Sequence, residues 1–315
     1  MREAMRLAVV IPTLGRPEQI ARLVDYLALQ SRLPEMVLVS APDETHVVGL
    51  GSGSGANSGP SSATGPFPVR VVFGPTGSSA QRNTALDALG CDYDVITFLD
   101  DDFIPARDYL AGVVEAFAAN PDFAVVMGRV LRDGATTAGL DWPEALAALA
   151  EPEPNSGPNS GPSSGRSPRP VVDHVGAYGC NMSIRADRIE GRRFDERLVL
   201  YGWQEDIDFT SRLRARGRVV CVAGLRGVHL GLKTGRVSGT RFGYSQMVNP
   251  VYLIRKRTVP AGFALRLMGR NLAANLVRSL RPEPYVDRRG RLRGNLLGLA
   301  HMLRGRIDPE HVLRL

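Results

Sequence analysis

The chain has 315 residues, 43% of them hydrophobic, enough for one large α/β domain with an appendage and a proper core. Its three cysteines (Cys91, Cys180, Cys221) are far apart with no Cys-x-x-Cys spacing, which argues against a disulfide framework or a zinc site and fits a reducing compartment. The net charge of +7 is uneven: from position 241 onward there are 15 basic against 4 acidic residues, leaving the first 240 positions at −4, so the basic tail is expected to meet an anionic surface.

Met1-Arg2-Glu3-Ala4-Met5-Arg6 leads into a strand with no signal-peptide pattern, and no apolar run approaches the ~18–20 residues of a membrane span. The expected location is the cytoplasm, either in solution or peripherally at the inner face of the cell membrane. Leu7-Ala8-Val9-Val10-Ile11 reads as a buried strand stopped by Pro12. Pro17 suits the first turn of a helix running to about residue 31, with Ile20, Leu23, Val24 and Leu27 on one face. Residues 36–39 form a second strand, giving a βαβ opening and hence a parallel pair with a right-handed crossover. Positions 49–68 and 151–170 turn to Gly, Ser, Asn and Pro, the latter repeating Asn-Ser-Gly-Pro at Asn155 and Asn159. Neither stretch has the apolar area to offset its chain entropy, so both read as disordered surface insertions.

A third strand spans 69–73, followed by a Gly/Ser loop and a helix from about 79 to 89 that carries Gln81, Arg82 and Asn83 in its first turns. Such a loop offers backbone N–H groups to an anion, and Arg82 adds a bidentate charge. The apolar run 95–99 then ends in Asp100-Asp101-Asp102. Adjacent carboxylates repel unless a cation or donors neutralise them, and the carboxyl end of a buried strand faces the ligand crevice of an open α/β sheet. The triplet is therefore expected to hold a divalent metal and, through it, a nucleotide diphosphate. The competing reading has Asp102 cap a helix running from Pro105 to 119. Alternation along an extended segment puts Asp100 and Asp102 on one side and Asp101 on the other.

A strand follows over 123–131, and residues 180–184 are expected to add another lining the same crevice. Tyr201-Gly202-Trp203-Gln204-Glu205-Asp206-Ile207-Asp208 opens a helix that carries Phe209 and Leu213 and stops at Gly217. Acids in its first turn satisfy the helix dipole, which leaves unexplained the Gly-Trp before them, an aromatic platform with a flexible neighbour. A short strand covers 219–222, and His229 follows as a lone histidine, structural or ligating. In the tail, Arg255-Lys256-Arg257, Arg266, Arg270 and Arg278 interleave with Leu253, Phe263, Leu265, Leu267 and Leu272. Helices of this kind lie on an anionic membrane face or pack on the main domain with their arginines solvated.

In this order, the Val10-Ile11-Pro12-Thr13 strand end, Gln81-Arg82-Asn83, Asp100-Asp101-Asp102, Gly179-Cys180-Asn181-Met182-Ser183, Trp203-x-Glu205-Asp206-x-Asp208 and the late His229 resemble the family 2 glycosyltransferases of GT-A fold. The likeness covers about positions 7–231. It implies a Rossmann-like mixed α/β sheet flanked by helices, with a catalytic domain over 1–240 and a basic helical extension over 241–315. It further implies an inverting, metal-dependent transfer from a nucleotide sugar. Pro12, Thr13 and Arg16 would border the nucleoside. Asp43 stands where relatives often read Asp-Asp-Gly-Ser, so the base stays open. Arg82 and Asn83 would face the nucleotide or its diphosphate, together with Asp100 and Asp101. Asp102, Asp100 and His229 would hold manganese or magnesium. Asp206 would be the base, its pKa lowered by the helix N-terminus. Glu205 would bind the acceptor or orient its loop, and Trp203, Asn181 and Gly179 would line the acceptor site. The acceptor is left as a glycan, a lipid-linked intermediate or a small molecule. A nucleotidyltransferase would show a Gly-rich basic loop after the first strand, where this chain has one glycine, Gly15. Nucleic-acid binding through the tail lacks an RNA-binding aromatic signature or helix-turn-helix spacing, so no nucleic-acid partner is expected.

Overall fold

The computed structural model describes residues 5–50, 58–62, 65–151, 170–234 and 237–315. Alternation along the first strand sets the layering. In β1 (Leu7–Pro12), Leu7, Val9 and Ile11 face one core while Ala8 and Val10 face the other. The first core is covered by α1 (Pro17–Leu27), α3 (Tyr109–Ala119) and α4 (Trp142–Ala150), through Ile20, Leu23, Leu27, Tyr109, Val113, Phe117 and Trp142. The second is covered by α2 (Ser78–Leu89) and α5 (Glu205–Arg212), through Ala85, Leu86, Leu89 and Phe209. A strand buried on both faces must be apolar throughout, which is why these segments are legible as unbroken runs.

Ten strands form one sheet among the described residues. They are β1, β2 (Met36–Ala41), β3 (Ser58–Ser62), β4 (Val69–Phe73), β5 (Val95–Phe98), β6 (Phe103–Pro105), β7 (Phe123–Asp133), β8 (Val171–Asp173), β9 (Met182–Arg185) and β10 (Arg218–His229). Their order is β3-β4-β2-β1-β5-β9-β7-β10-β6, with β8 also on β10. β4, β2, β1 and β5 run parallel, as the βαβ opening predicts. β9 lies antiparallel between β5 and β7, so the sheet is mixed.

Several boundaries differ from expectation. α1 stops at Leu27, and residues 28–31 turn. α3 begins at Tyr109, because Phe103–Pro105 pairs antiparallel with β10 and buries Phe103 and Ile104 completely. Asp102 therefore caps nothing, and the cap reading of the triplet falls. The predicted short strand at 219–222 is the first third of the twelve-residue β10, interrupted by a register shift between Val222 and Arg226. α5 gives way at Leu213 to a 3-10 turn that reaches Arg216. Of the two Gly/Ser/Pro stretches, residues 51–57, 63–64 and 152–169 lie outside the described residues. Within the first, the backbone of Ser58–Ser62 pairs with β4 at the sheet edge, which a Gly/Ser composition permits because pairing there needs only the backbone.

The basic tail forms α6 (Gly239–Lys256), α7 (Ala261–Arg278) and α8 (Arg288–Leu303), then a 3-10 turn over Pro309–Arg314. α6 packs on the sheet-bearing part: Asn249 donates to the Trp203 carbonyl at 2.8 Å, and Lys256 reaches Asp195 at 2.5 Å and the buried Asp208 at 2.7 Å. α8 lies so close to α6 that a Cβ on Gly294 would sit 2.1 Å from the Thr240 carbonyl oxygen. Between the helices, buried Asn275 donates to Gln246 at 2.8 Å and to Asn295 at 2.9 Å, and accepts from Arg288 at 3.1 Å.

Candidate active site

The loop between β5 and β6 carries the Asp triplet and is fixed from both sides. Asp100 N donates to the Cys180 carbonyl at 3.1 Å, and the Asp102 carbonyl accepts from Leu230 N at 2.8 Å. The β6–β10 pairing sets His229 opposite Phe103, one residue past Asp102. His229 Nε2 consequently lies 3.3 Å from Asp102 Oδ1, and its Nδ1 lies 2.9 Å from Asp133 Oδ1. One ligand atom from each of Asp100, Asp102 and His229 falls within 4.8 Å of the others.

Arg16 staples three loops together. Its Nη1 is 2.6 Å from Asp101 and 3.3 Å from Asp102, and its Nη2 donates to the Thr234 carbonyl at 2.7 Å. Asp101 also accepts from Thr13 Oγ1 at 2.7 Å, so the middle carboxylate faces the β1–α1 loop. On the other flank, buried Arg82 ion-pairs with Glu205, reaches Asp100 at 3.0 Å and donates to the Gly179 carbonyl at 3.3 Å. Asp206 at the start of α5 accepts from Gly179 N at 2.7 Å and Ile207 N at 2.7 Å. A Cβ on Gly179 would stand 3.0 Å from Asp206 Oδ2 and 3.2 Å from Arg82 Nη2, so a larger residue there would crowd both side chains. The result is one continuous array. His229, Asp133 and Asp102 stand at one end, Asp100 and Arg82 in the middle, and Glu205 and Asp206 at the other end.

Residues 8–141 match the sequence profile described as Glycosyl transferase family 2. This stretch is a family 2 glycosyltransferase domain. No curated protein matches the chain by sequence at a significant level. By structure, the chain is similar to a mannosyltransferase, PcManGT from Pyrobaculum calidifontis, in complex with GDP-Man and Mn2+ (TM-score 0.51, 14% identity, 99% of this chain and 79% of the other). It is also similar to S. aureus TarS 1-349 (TM-score 0.52, 13% identity, 98% and 82%) and to that protein in complex with UDP-GlcNAc (TM-score 0.50, 13% identity, 96% and 93%). These likenesses show a shared GT-A architecture that extends across the C-terminal helices.

The electrostatics of the site follow from burial opposed by pairing. Burial would push the Asp102 carboxyl up, but the His229 hydrogen bond and charge, with Arg16, hold it at about 2. Asp101 is pushed up to about 7 by burial and by Asp102, against the pull of Arg16. Burial pulls His229 down, yet its hydrogen bonds to Asp102 and Asp133 raise it to about 10. Burial carries Glu205 up to about 8 against Arg82. Asp206 is raised as well: burial and nearby Asp100 outweigh Arg82 and the two backbone donors. The expectation that a helix N-terminus would lower it is thus corrected, because desolvation is the larger effect here. Two carboxylates and an imidazole, with Asp102 held ionised, form a donor set that suits a hard or borderline divalent cation.

Not every family-derived position joins this array. Pro12 ends β1 opposite Ser40. Asp43 is exposed and caps the turn Glu44–His46 through Thr45 N at 2.9 Å; His46 in turn accepts from Gly15 N at 2.8 Å, which brings that turn against the β1–α1 loop. Asn83 spends its amide on the Phe194 backbone, at 3.0 and 2.8 Å, and on Glu196, at 2.7 Å. Asn181 is fully buried, donating to the Gly128 carbonyl at 3.2 Å, with its own carbonyl taken by the Tyr109 hydroxyl at 2.9 Å. Asn181 holds the 179–181 turn from beneath and presents no atom to solvent. Glu205 is likewise turned inward, toward Arg82 and Ser78. Trp203 is half-buried and meets Phe242 of α6 edge-on at 6.1 Å.

Sequence reading missed Asp133 and Tyr178. Tyr178 packs edge-on against His229 at 6.0 Å and donates to Asp133 Oδ2 at 3.3 Å. Tyr178 directly precedes the Gly-Cys-Asn motif, a signal that was available. Asp133 carries none, since only the parallel β7–β10 register brings it beside His229.

Proposed function

We propose that the protein transfers a glycosyl group from a nucleoside-diphosphate sugar to an acceptor hydroxyl with inversion at the sugar carbon. The observation that carries this reading is the division of the array into an Asp-Asp-His group and a separate ionisable acid, Asp206, joined through Arg82 and Gly179. The ligands of the structural neighbours, GDP-Man with Mn2+ and UDP-GlcNAc, agree with a donor of this class. Asp100, Asp102 and His229 would hold manganese or magnesium. Bound there, such a cation neutralises the charge that develops on a diphosphate leaving group. Thr13 and Arg16 keep the triplet loop and the 232–234 segment in register around the donor. Asp206 takes the acceptor proton. Its two backbone hydrogen bonds fix the carboxylate, and burial raises its basicity. Arg82 keeps Glu205, Asp206 and Asp100 from repelling one another. Tyr201, about half exposed, and Trp203 border the acceptor side.

Two substitutions separate the roles. Asp206→Asn should abolish transfer, by about 10²-fold or more, while donor binding persists. Asp102→Asn should abolish the manganese-dependent rise in melting temperature that a nucleotide sugar produces. Transfer at the parent rate by the Asp206 variant would overturn the assignment of the base.

A further inference from the structure

Helix α7 turns an apolar side away from the protein. Its inner side buries Ala264 and Asn275 and half-buries Phe263, Leu267, Met268 and Leu272. Leu265 and Leu276 on the opposite side are 54% and 56% exposed, and Leu280, two residues past the helix end, is 80% exposed. At the helical period Leu265 and Leu276 fall in one stripe with Gly269 and Ala273, edged by Arg266, Arg270 and the 67%-exposed Val277. Among the described residues neither Arg266 nor Arg270 has an ion-pair partner. Positions 241–282 contain eight basic residues and no acid. The helix is anchored nonetheless: Asn275 is bonded to α6 and α8, and α6 to the sheet-bearing part. No described helix is long and apolar enough to cross a membrane.

We propose that the outer side of α7 docks in the plane of an anionic membrane surface, with Leu265, Leu276, Val277 and Leu280 entering the lipid boundary and Arg266 and Arg270 meeting lipid phosphates. Charge selects this occupant. A second copy seated on the same face would bring arginine against arginine, because α7 holds no acid to answer them. A lipid surface supplies both the apolar interior and the negative charge. The proposal stands independently of the sugar-transfer reading.

The test uses the full chain and vesicles of phosphatidylcholine with or without phosphatidylglycerol, followed by flotation. Binding is expected only with phosphatidylglycerol and should be released at high salt, where surface charges are screened. Leu276→Glu with Leu280→Glu should reduce the bound fraction by about tenfold or more, and Arg266→Gln with Arg270→Gln should weaken it. Both changes lie on exposed positions, so melting temperature and manganese-dependent binding of UDP-GlcNAc or GDP-mannose should match the parent. Three results would overturn the proposal. One is absence of binding to anionic vesicles at low salt. Another is binding that the two glutamates leave undiminished. The last is a concentration-dependent dimer that the same glutamates dissolve, which would give the face to a second copy.

Discussion

Asp133 decides which nitrogen of His229 looks into the crevice. A carboxylate 2.9 Å from Nδ1 holds a proton there and turns Nε2 toward Asp102; for His229 to ligate the proposed cation, Nε2 would give up the proton it shares with Asp102 while Asp133 keeps the one on Nδ1. Replacing Asp133 with Leu should weaken manganese affinity by about 10–100-fold, read by isothermal calorimetry on the free protein, whereas Asn keeps an acceptor oxygen and should cost less. Unchanged affinity in the Leu variant would show that Asp133 does not orient His229 for the proposed metal. Arg82 carries comparable weight. It is buried among Glu205, Asp100 and Asp206, so Arg82→Met strands carboxylates without their counter-charge and should destabilise by about 3–5 kcal/mol in denaturant unfolding. Its identity was legible from its place in the first turn of a helix after a Gly/Ser loop. Its orientation toward acids was not, because the nearest of them, Asp100, lies 18 positions away and Glu205 lies 123.

Among the elements, the ones missed are those whose formation depends on distant pairing. The three-residue strand β6 is too short to show a period, and Pro105 at its end imitates a helix start. Only the 219–222 part of β10 is legible, because its register shift falls where the apolar run breaks. α4 was within reach: Asp141 and Glu144 form a reciprocal capping box ahead of an Ala/Leu run, a purely local signal. The junction of α8 with the 309–314 turn makes a prediction of its own. The His301 ring lies 4.6 Å from that of His311, and its Nδ1 lies 3.2 Å from the Tyr244 hydroxyl, which also donates to the Asp308 carbonyl. Burial, then the positive charges of His311, Arg306 and Arg304, push His301 below its ordinary 6.5. A base so lowered binds fewer protons folded than unfolded, so this contact is at full strength above about pH 6.5 and weakens as pH falls below it. Hydrogen exchange in 309–315, corrected for intrinsic rate, should therefore be faster at about pH 5.5 than at about pH 7.5. His301→Gln should remove the difference; equal rates in the parent would show the contact to be indifferent to charge.

For the molecule as a whole, composition sets a near-neutral body against a basic appendage, and the arginine-rich helices α6, α7 and α8 pack against one another. What composition does not reveal is strand order, which is a property of the whole sheet. The family match ends at residue 141, yet β9 lies between β5 and β7, and β10 between β7 and β6. The matched stretch is thus not a self-sufficient folding unit: residues 8–141 hold β5 and β7 but not the strand that joins them. During synthesis, Asp100–Asp102 leaves the ribosome some 130 residues before His229 and the Leu230–Leu232 amides that hold Asp102 in place. At synthesis rates of about 5–20 residues per second that is an interval on the order of ten seconds, during which the β3-β4-β2-β1-β5 half-sheet exposes its β5 edge and β7 and β6 lack their partner strands. Biogenesis, more than the finished fold, is where this protein needs protection from aggregation.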